Sequence, residues 1–89
     1  MWWKDIHIAK PYERGVWEFK TVDVRLFGWF PEKDYLILHI GEDAQLLHDD
    51  LTLYQPFIDA TAGYRDTMPP GLPGPIMSKE LDDVVSNRV

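Results

Sequence analysis

Residues 16–40, VWEFKTVDVRLFGWFPEKDYLILHI, decide the fold. In VWEFK (16–20), Trp17 and Phe19 alternate with Glu18 and Lys20, the period-two signature of a half-buried strand. Val22, Val24 and Leu26 then alternate with Asp23 and Arg25, before Phe27, Gly28, Trp29 and Phe30 run together. The polar tetrapeptide Pro31-Glu32-Lys33-Asp34 supplies a turn, its proline pre-setting φ. YLILHI (35–40) follows, almost continuously apolar, as a strand covered on both faces would be. The stretch predicts an antiparallel hairpin within a small sheet of about three strands, 16–20, 21–30 and 35–41. Gly28 interrupts the second strand. A glycine there marks a bulge or a close backbone approach, and packing against a neighbouring ring is the simplest reading.

Outward from the hairpin the pattern weakens. Residues 1–15 lack a period and are punctuated by Pro11 and Gly15, so they read as a loop leading in. Beyond Gly41, DAQLLHDD (43–50) has room for a short helical turn. Leu51, Tyr54, Phe57 or Ile58, Thr61, and Tyr64 or Arg65 recur at helical spacing, but Pro56 is comfortable only at a first helical position. One helix is therefore predicted near 56–66, with residues 51–54 as an extended or turn-like approach. No regular element survives PPGLPGP (69–75), and the segment behind it is acidic. The expectation is an α+β domain over 1–68, then a Pro/Gly loop and acidic C-terminal tail over 69–89 that docks as a short element or stays mobile.

The 89 residues hold nine Lys and Arg against fifteen Asp and Glu, a formal charge of −6. With 45% apolar and 13% aromatic residues the chain is too hydrophobic for intrinsic disorder. Its sign is wrong for holding phosphates. Residues 1–40 are neutral overall, whereas 41–89 carry nine acidic and three basic groups, so the second half supplies the field. The absence of cysteine excludes disulfides, thiolate zinc sites and cysteine nucleophiles. No apolar run reaches the ~18 residues of a membrane span, and no basic-then-apolar leader is present, so a soluble cytoplasmic domain is expected.

Catalytic signatures are sparse. His7, His39 and His48 have no H-x-x-x-H spacing, and no metal or cofactor is expected; His39 reads as a hydrogen-bonded core residue of the central strand. Glu42-Asp43, Asp49-Asp50 and Asp82-Asp83 are sequence neighbours without split environments, which suits a solvated face better than general acid–base work. Serine occurs only at Ser78 and Ser86, which excludes a nucleophile elbow. The tryptophans carry more. Trp2, Trp3 and Trp29 are costly to expose, and tryptophan is enriched at binding hot spots, so they are candidate partner anchors with core plugging as the alternative. Asp49, Asp50, Asp82 and Asp83 are the candidate acidic contacts.

Trp17-Glu18-Phe19-Lys20, then Arg25-Leu26-Phe27-Gly28-Trp29-Phe30, then Tyr35-Leu36-Ile37 resemble, in order and spacing, the sheet of the RelE/HigB-like superfamily, which includes phage-related members. Leu53-Tyr54 and Tyr64-Arg65 are similar to the helix after that sheet in some phage-encoded relatives. The resemblance covers about half of the chain. It implies a phage or mobile-element protein and, where the family's activity is kept, cleavage of messenger RNA on the ribosome. Lys20, Arg25, His39 and Tyr64 would then carry the chemistry. The chain departs from the family in two ways. Only about fifteen residues precede the sheet where the family has two helices, and Lys20, Arg25 and Lys33 are balanced by Glu18, Asp23, Glu32 and Asp34.

The expected function is therefore a noncatalytic acidic interaction protein that binds and inhibits a host protein. Its carboxylates would compete for a basic nucleic-acid-binding surface, as anti-CRISPR proteins and other DNA mimics do. No direct nucleic-acid or membrane contact is expected, and homo-oligomerisation is compatible with this reading. The alternatives are a RelE/HigB-like ribonuclease toxin and a structural subunit of a phage assembly whose hairpin edge pairs with a neighbour.

Overall fold

The computed structural model describes residues 8–68 and 74–86. Four antiparallel strands, β1 (Ile8–Pro11), β2 (Val16–Lys20), β3 (Val24–Glu32) and β4 (Tyr35–Asp43), lie side by side in sequence order. Three helices follow: α1 (Ala44–Asp49), α2 (Tyr54–Asp66) and α3 (Leu81–Val84). The class is α+β, with one strand more than the sequence suggests. β1 pairs from Ile8↔Lys20 to Pro11↔Trp17. With four residues it is too short to display a period, and Pro11 sits at its end, where a ladder donor is dispensable. Tyr12 N–H bonds Val16 O at 2.8 Å, and Arg14 (φ 58°) and Gly15 (φ 72°) turn the chain back into β2.

The hairpin is tighter than the predicted four-residue turn. Glu32 still faces Tyr35, so only Lys33 and Asp34 form the turn, with Asp34 at φ 66°. Aspartate tolerates this region because its short polar side chain finds local partners. Residues 21–23 make a bend, which delays β3 to Val24.

Both faces of the sheet are covered. On one face Val16 and Phe27 pack with Leu47 of α1 and Ile58 and Ala62 of α2. The Phe27 ring meets Tyr54 at 6.1 Å and Phe57 at 5.8 Å. On the other face Trp17, Phe19 and Phe30 pack with Val84 of α3, flanked by Ile76, Leu81 and Val85. Trp17 and Phe19 each meet Phe30 edge-on at 5.9 Å. The acidic segment thus contributes a layer of the structure: Ile76 N–H bonds Phe30 O, and Asp34 N–H bonds Val84 O, both at 2.8 Å. Burying Val84 alone is worth roughly 1.5–3 kcal/mol.

Burial reverses the sequence reading of two strands. β2, which alternates like a half-buried strand, is interior and covered on both faces, with Glu18 wholly inaccessible. β4, apolar enough for a central strand, lies at the sheet edge and is half exposed. Neighbours decide this, since Glu18 finds polar partners inside and β4 has a strand on one side only.

Local chemistry sets the helices. Asp43 caps α1 by accepting from Gln45 N at 2.8 Å and Leu46 N at 3.3 Å. α2 begins at Tyr54, behind a 3₁₀ turn over Leu51–Leu53, so Pro56 stands third rather than first. That position is still within the first turn, whose N–H groups lack helical acceptors anyway. Ile58, Thr61 and Ala62 form the buried stripe of α2. Arg14 pairs with Asp59, and Arg65 donates to Arg14 O, which straps α2 to the β1–β2 connection.

Candidate functional site

Gly28 organises the exposed side of the hairpin. Phe27 faces Ile40 while Gly28 faces Leu38, so His39 is the extra residue of a bulge in β4. A Cβ on Gly28 would stand 2.1 Å from Ile37 O, so the backbones of β3 and β4 approach closely here. The bulge re-aims His39. It is exposed and stacks on Tyr64 of α2, ring centroids 4.2 Å apart and planes 8° apart. His39 is therefore not a core residue, because its strand is an edge and its register is broken there.

Tyr64 also tilts against Trp29 at 6.2 Å. Trp29 is 2% exposed and does not stand out as an anchor, because its pairing with Val16 places it on the face beneath α2. Trp29 instead forms part of the wall of a cavity of about 340 Å³. Pro31, Tyr35 and Ile37 line it from the hairpin, with Arg65 and Pro75 opposite. That volume is at the lower end for ligand pockets, roughly 300–1,000 Å³. Sequence reasoning misses the cavity because its walls come from segments some forty residues apart. Gly28 and the Pro/Gly stretch that ends at Pro75 are the local signals of unusual backbone nearby.

A second cluster is inside. Tyr12 OH donates to Glu18 Oε1 at 2.9 Å, and Arg25 Nε stands 3.8 Å from Oε2. Arg25 Nη1 donates to Thr21 O at 2.8 Å. Burial first, then the hydrogen bond to Glu18, pushes the Tyr12 phenol far above its ordinary range. Burial and the Glu18 charge push Tyr54 upward as well. Both hydroxyls therefore stay protonated. This group joins β2, β3, α2 and the β1–β2 connection.

The carboxylates form two separate sets. Asp43 and Asp50 cap the two ends of α1 and Asp49 is its last residue; Leu46 within it is 44% exposed and Leu51 just beyond it 69% exposed. Asp49 accepts from Gln45 Nε2 at 2.8 Å, and Asp50 caps the next turn through Thr52 N at 3.1 Å. Asp82 and Asp83 belong to α3, against the opposite face of the sheet, where Asp83 accepts from Ser78 Oγ. Trp2, Trp3 and His7 lie outside the described residues. Of the residues that the RelE/HigB-like resemblance points to, His39 and Tyr64 are stacked. Lys20 and Arg25 are cross-strand partners further along the sheet.

Among the described residues no group of three or more His, Asp and Glu side chains is placed to hold a metal ion, and no helix is long and apolar enough to cross a membrane. No protein-family model matches the chain, and neither a curated protein nor a solved structure matches it.

Proposed function

We propose that this chain is a noncatalytic protein-binding domain, of phage or mobile-element type, that occupies a basic nucleic-acid-binding surface of a host protein and so inhibits it. The supporting observation is the segment from Asp43 to Leu51, where the exposed carboxylates Asp43, Asp49 and Asp50 alternate along the chain with the exposed Leu46 and Leu51. An apolar centre with a charged rim is the usual anatomy of a protein interface. Two of the three carboxylates are fixed by capping bonds, so little side-chain freedom is lost on binding. The acidic rim accelerates encounter with a basic partner and makes affinity fall with salt.

The test is affinity capture of the tagged chain from a bacterial lysate with and without nuclease. A stoichiometric, nuclease-resistant partner with a basic channel is expected, bound more weakly as salt rises. Replacing Asp49 and Asp50 by Asn should lower that affinity about tenfold, a loss of ~1.4 kcal/mol. Unchanged affinity in the double variant overturns the use of this surface.

One observation favours a second reading, the RelE/HigB-like ribonuclease: the stacking of His39 on Tyr64. It requires that expression arrests growth, that His39→Ala relieves the arrest, and that ribosomes are captured in an RNA-dependent way. Harmless overexpression removes it.

A further inference from the structure

We propose that the outer edge of β4 accepts an extended segment of a partner protein as a fifth strand. A large apolar side chain of that segment enters the cavity beside Trp29, and a Lys or Arg lies against Glu42 and Asp43. This rests on the reading of the chain as a protein-binding domain and names the chemistry of the partner.

The two edges of the sheet differ in the way that matters for strand addition. β1 is four residues long and carries Lys10 and Pro11, two common means of blunting an edge. β4 is nine residues long, YLILHIGED, and has neither lysine nor proline, its one such interruption being the bulge at His39. Among the described residues it pairs with β3 alone. Tyr35 and Leu38 are 54% and 42% exposed along it, so the open edge is also apolar. An extended peptide supplies main-chain hydrogen bonds to such an edge, and pockets beside it select alternate side chains.

Such a pocket is present. Tyr35 and Ile37 of β4 line the 340 Å³ cavity together with Trp29 and Pro31, so it lies on the face over which alternate side chains of an added strand project. The opposite end of β4 is acidic, with Glu42 and Asp43 followed by Asp49 at the end of α1 and Asp50 just beyond it. Arg25, which faces Glu42 from β3, is engaged by Glu18 and Thr21 O.

β3 shows what spacing β4 requires of an antiparallel neighbour. It presents Arg25 to Glu42 and Trp29 to Ile37, a basic residue and then a large apolar one four positions later. The bulge at His39 keeps both positions on one face. Antiparallel addition, the sense of every pair in this sheet, gives the partner the same order: Lys or Arg, three residues, then a large apolar residue.

The probe is the acetylated, amidated peptide Thr-Lys-Thr-Val-Thr-Leu-Thr, added to the intact chain and followed by amide hydrogen exchange and Trp fluorescence. Expected are at least about tenfold slower exchange along β4 and about tenfold weaker binding when the peptide lysine is replaced by glutamate. Alternate N-methylation of the peptide backbone should abolish binding. Leu38→Lys, a change at an exposed position, should reduce binding about tenfold while leaving unfolding unchanged. Binding that survives N-methylation, or saturation without protection of β4, overturns strand addition. Concentration-dependent self-association that protects β4 without peptide overturns it in favour of a second copy as occupant. If the Leu38→Lys chain still captures the salt-sensitive host protein, strand addition fails and the broader reading stands. If the wild-type chain captures none, the broader reading fails first.

Discussion

The carbonyl oxygen of Ile37 stands 2.1 Å from the place a Cβ on Gly28 would take. The contact is backbone, so no rotamer change relieves it. Gly28→Ala must separate β3 from β4 and is expected to destabilise the protein by about 3 kcal/mol, the upper part of the overpacking range. Gly63 is the control. It lies in α2 with nothing within 4 Å of its added Cβ, so Gly63→Ala should stabilise by about 1 kcal/mol. Urea unfolding of both variants checks the pair, and a Gly28→Ala chain as stable as the parent would refute the close approach.

Gly28 also shows how far the sequence could be read. A glycine inside an apolar strand signals a bulge or close approach, but only the pairing with β4 reveals that His39 is the residue displaced by it. The hairpin and α2 were legible because their periods persist over several residues. β1 and α3 were not, since four residues cannot carry a period. The burial of β2 and exposure of β4 depended on strand order, which no local pattern encodes. The cavity required Arg65 and Pro75 to meet Trp29 across the fold.

Glu18 is the group whose burial is least expected from its sequence. It is fully inaccessible, with Arg25 3.8 Å away and Tyr12 donating to it. Removing one charge of a buried pair strands the other, so Glu18→Leu should cost on the order of 3–5 kcal/mol. The double variant Glu18→Leu, Arg25→Met removes both charges and should recover most of that loss. Denaturant midpoints of the single and double variants decide the matter. A double variant as unstable as the single one would mean that the loss of the Tyr12 bond dominates.

Asp34 links the hairpin turn to the C-terminal layer. Its carboxylate accepts from Ser86 N–H at 2.7 Å and from the Ser86 hydroxyl. The hydroxyl bond first, then the backbone bond, holds its pKa below the ordinary 3.8. A carboxyl with a lowered folded pKa stabilises fully above its unfolded value and loses that contribution as pH falls through the folded one. The contact between Asp34 and Ser86 should therefore loosen only as pH falls below the ordinary carboxylate range. Amide exchange at Ser86 and the fluorescence of Trp17, which packs in the same layer, should report it. Asp34→Asn keeps an acceptor and tolerates positive φ, so its exchange rate should lose this acid dependence. An unchanged acid profile in that variant would place the titration elsewhere.

The carboxylates around α1 serve both structure and the proposed binding, and the two roles can be separated at Asp50. Its side chain accepts from Thr52 N at 3.1 Å and caps the turn that leads into α2. Asparagine caps a helix about as well as aspartate, whereas alanine costs about 1 kcal/mol. Asp50→Asn should leave stability within about 0.5 kcal/mol, and Asp50→Ala should lower it by the full capping loss. Both remove the same charge, so both should weaken capture of a basic host protein equally, and both should flatten its salt dependence. Thermal melts and salt-titrated binding on the same two variants give the comparison. If affinity follows stability rather than charge, α1 contributes shape to the interface and its field is incidental.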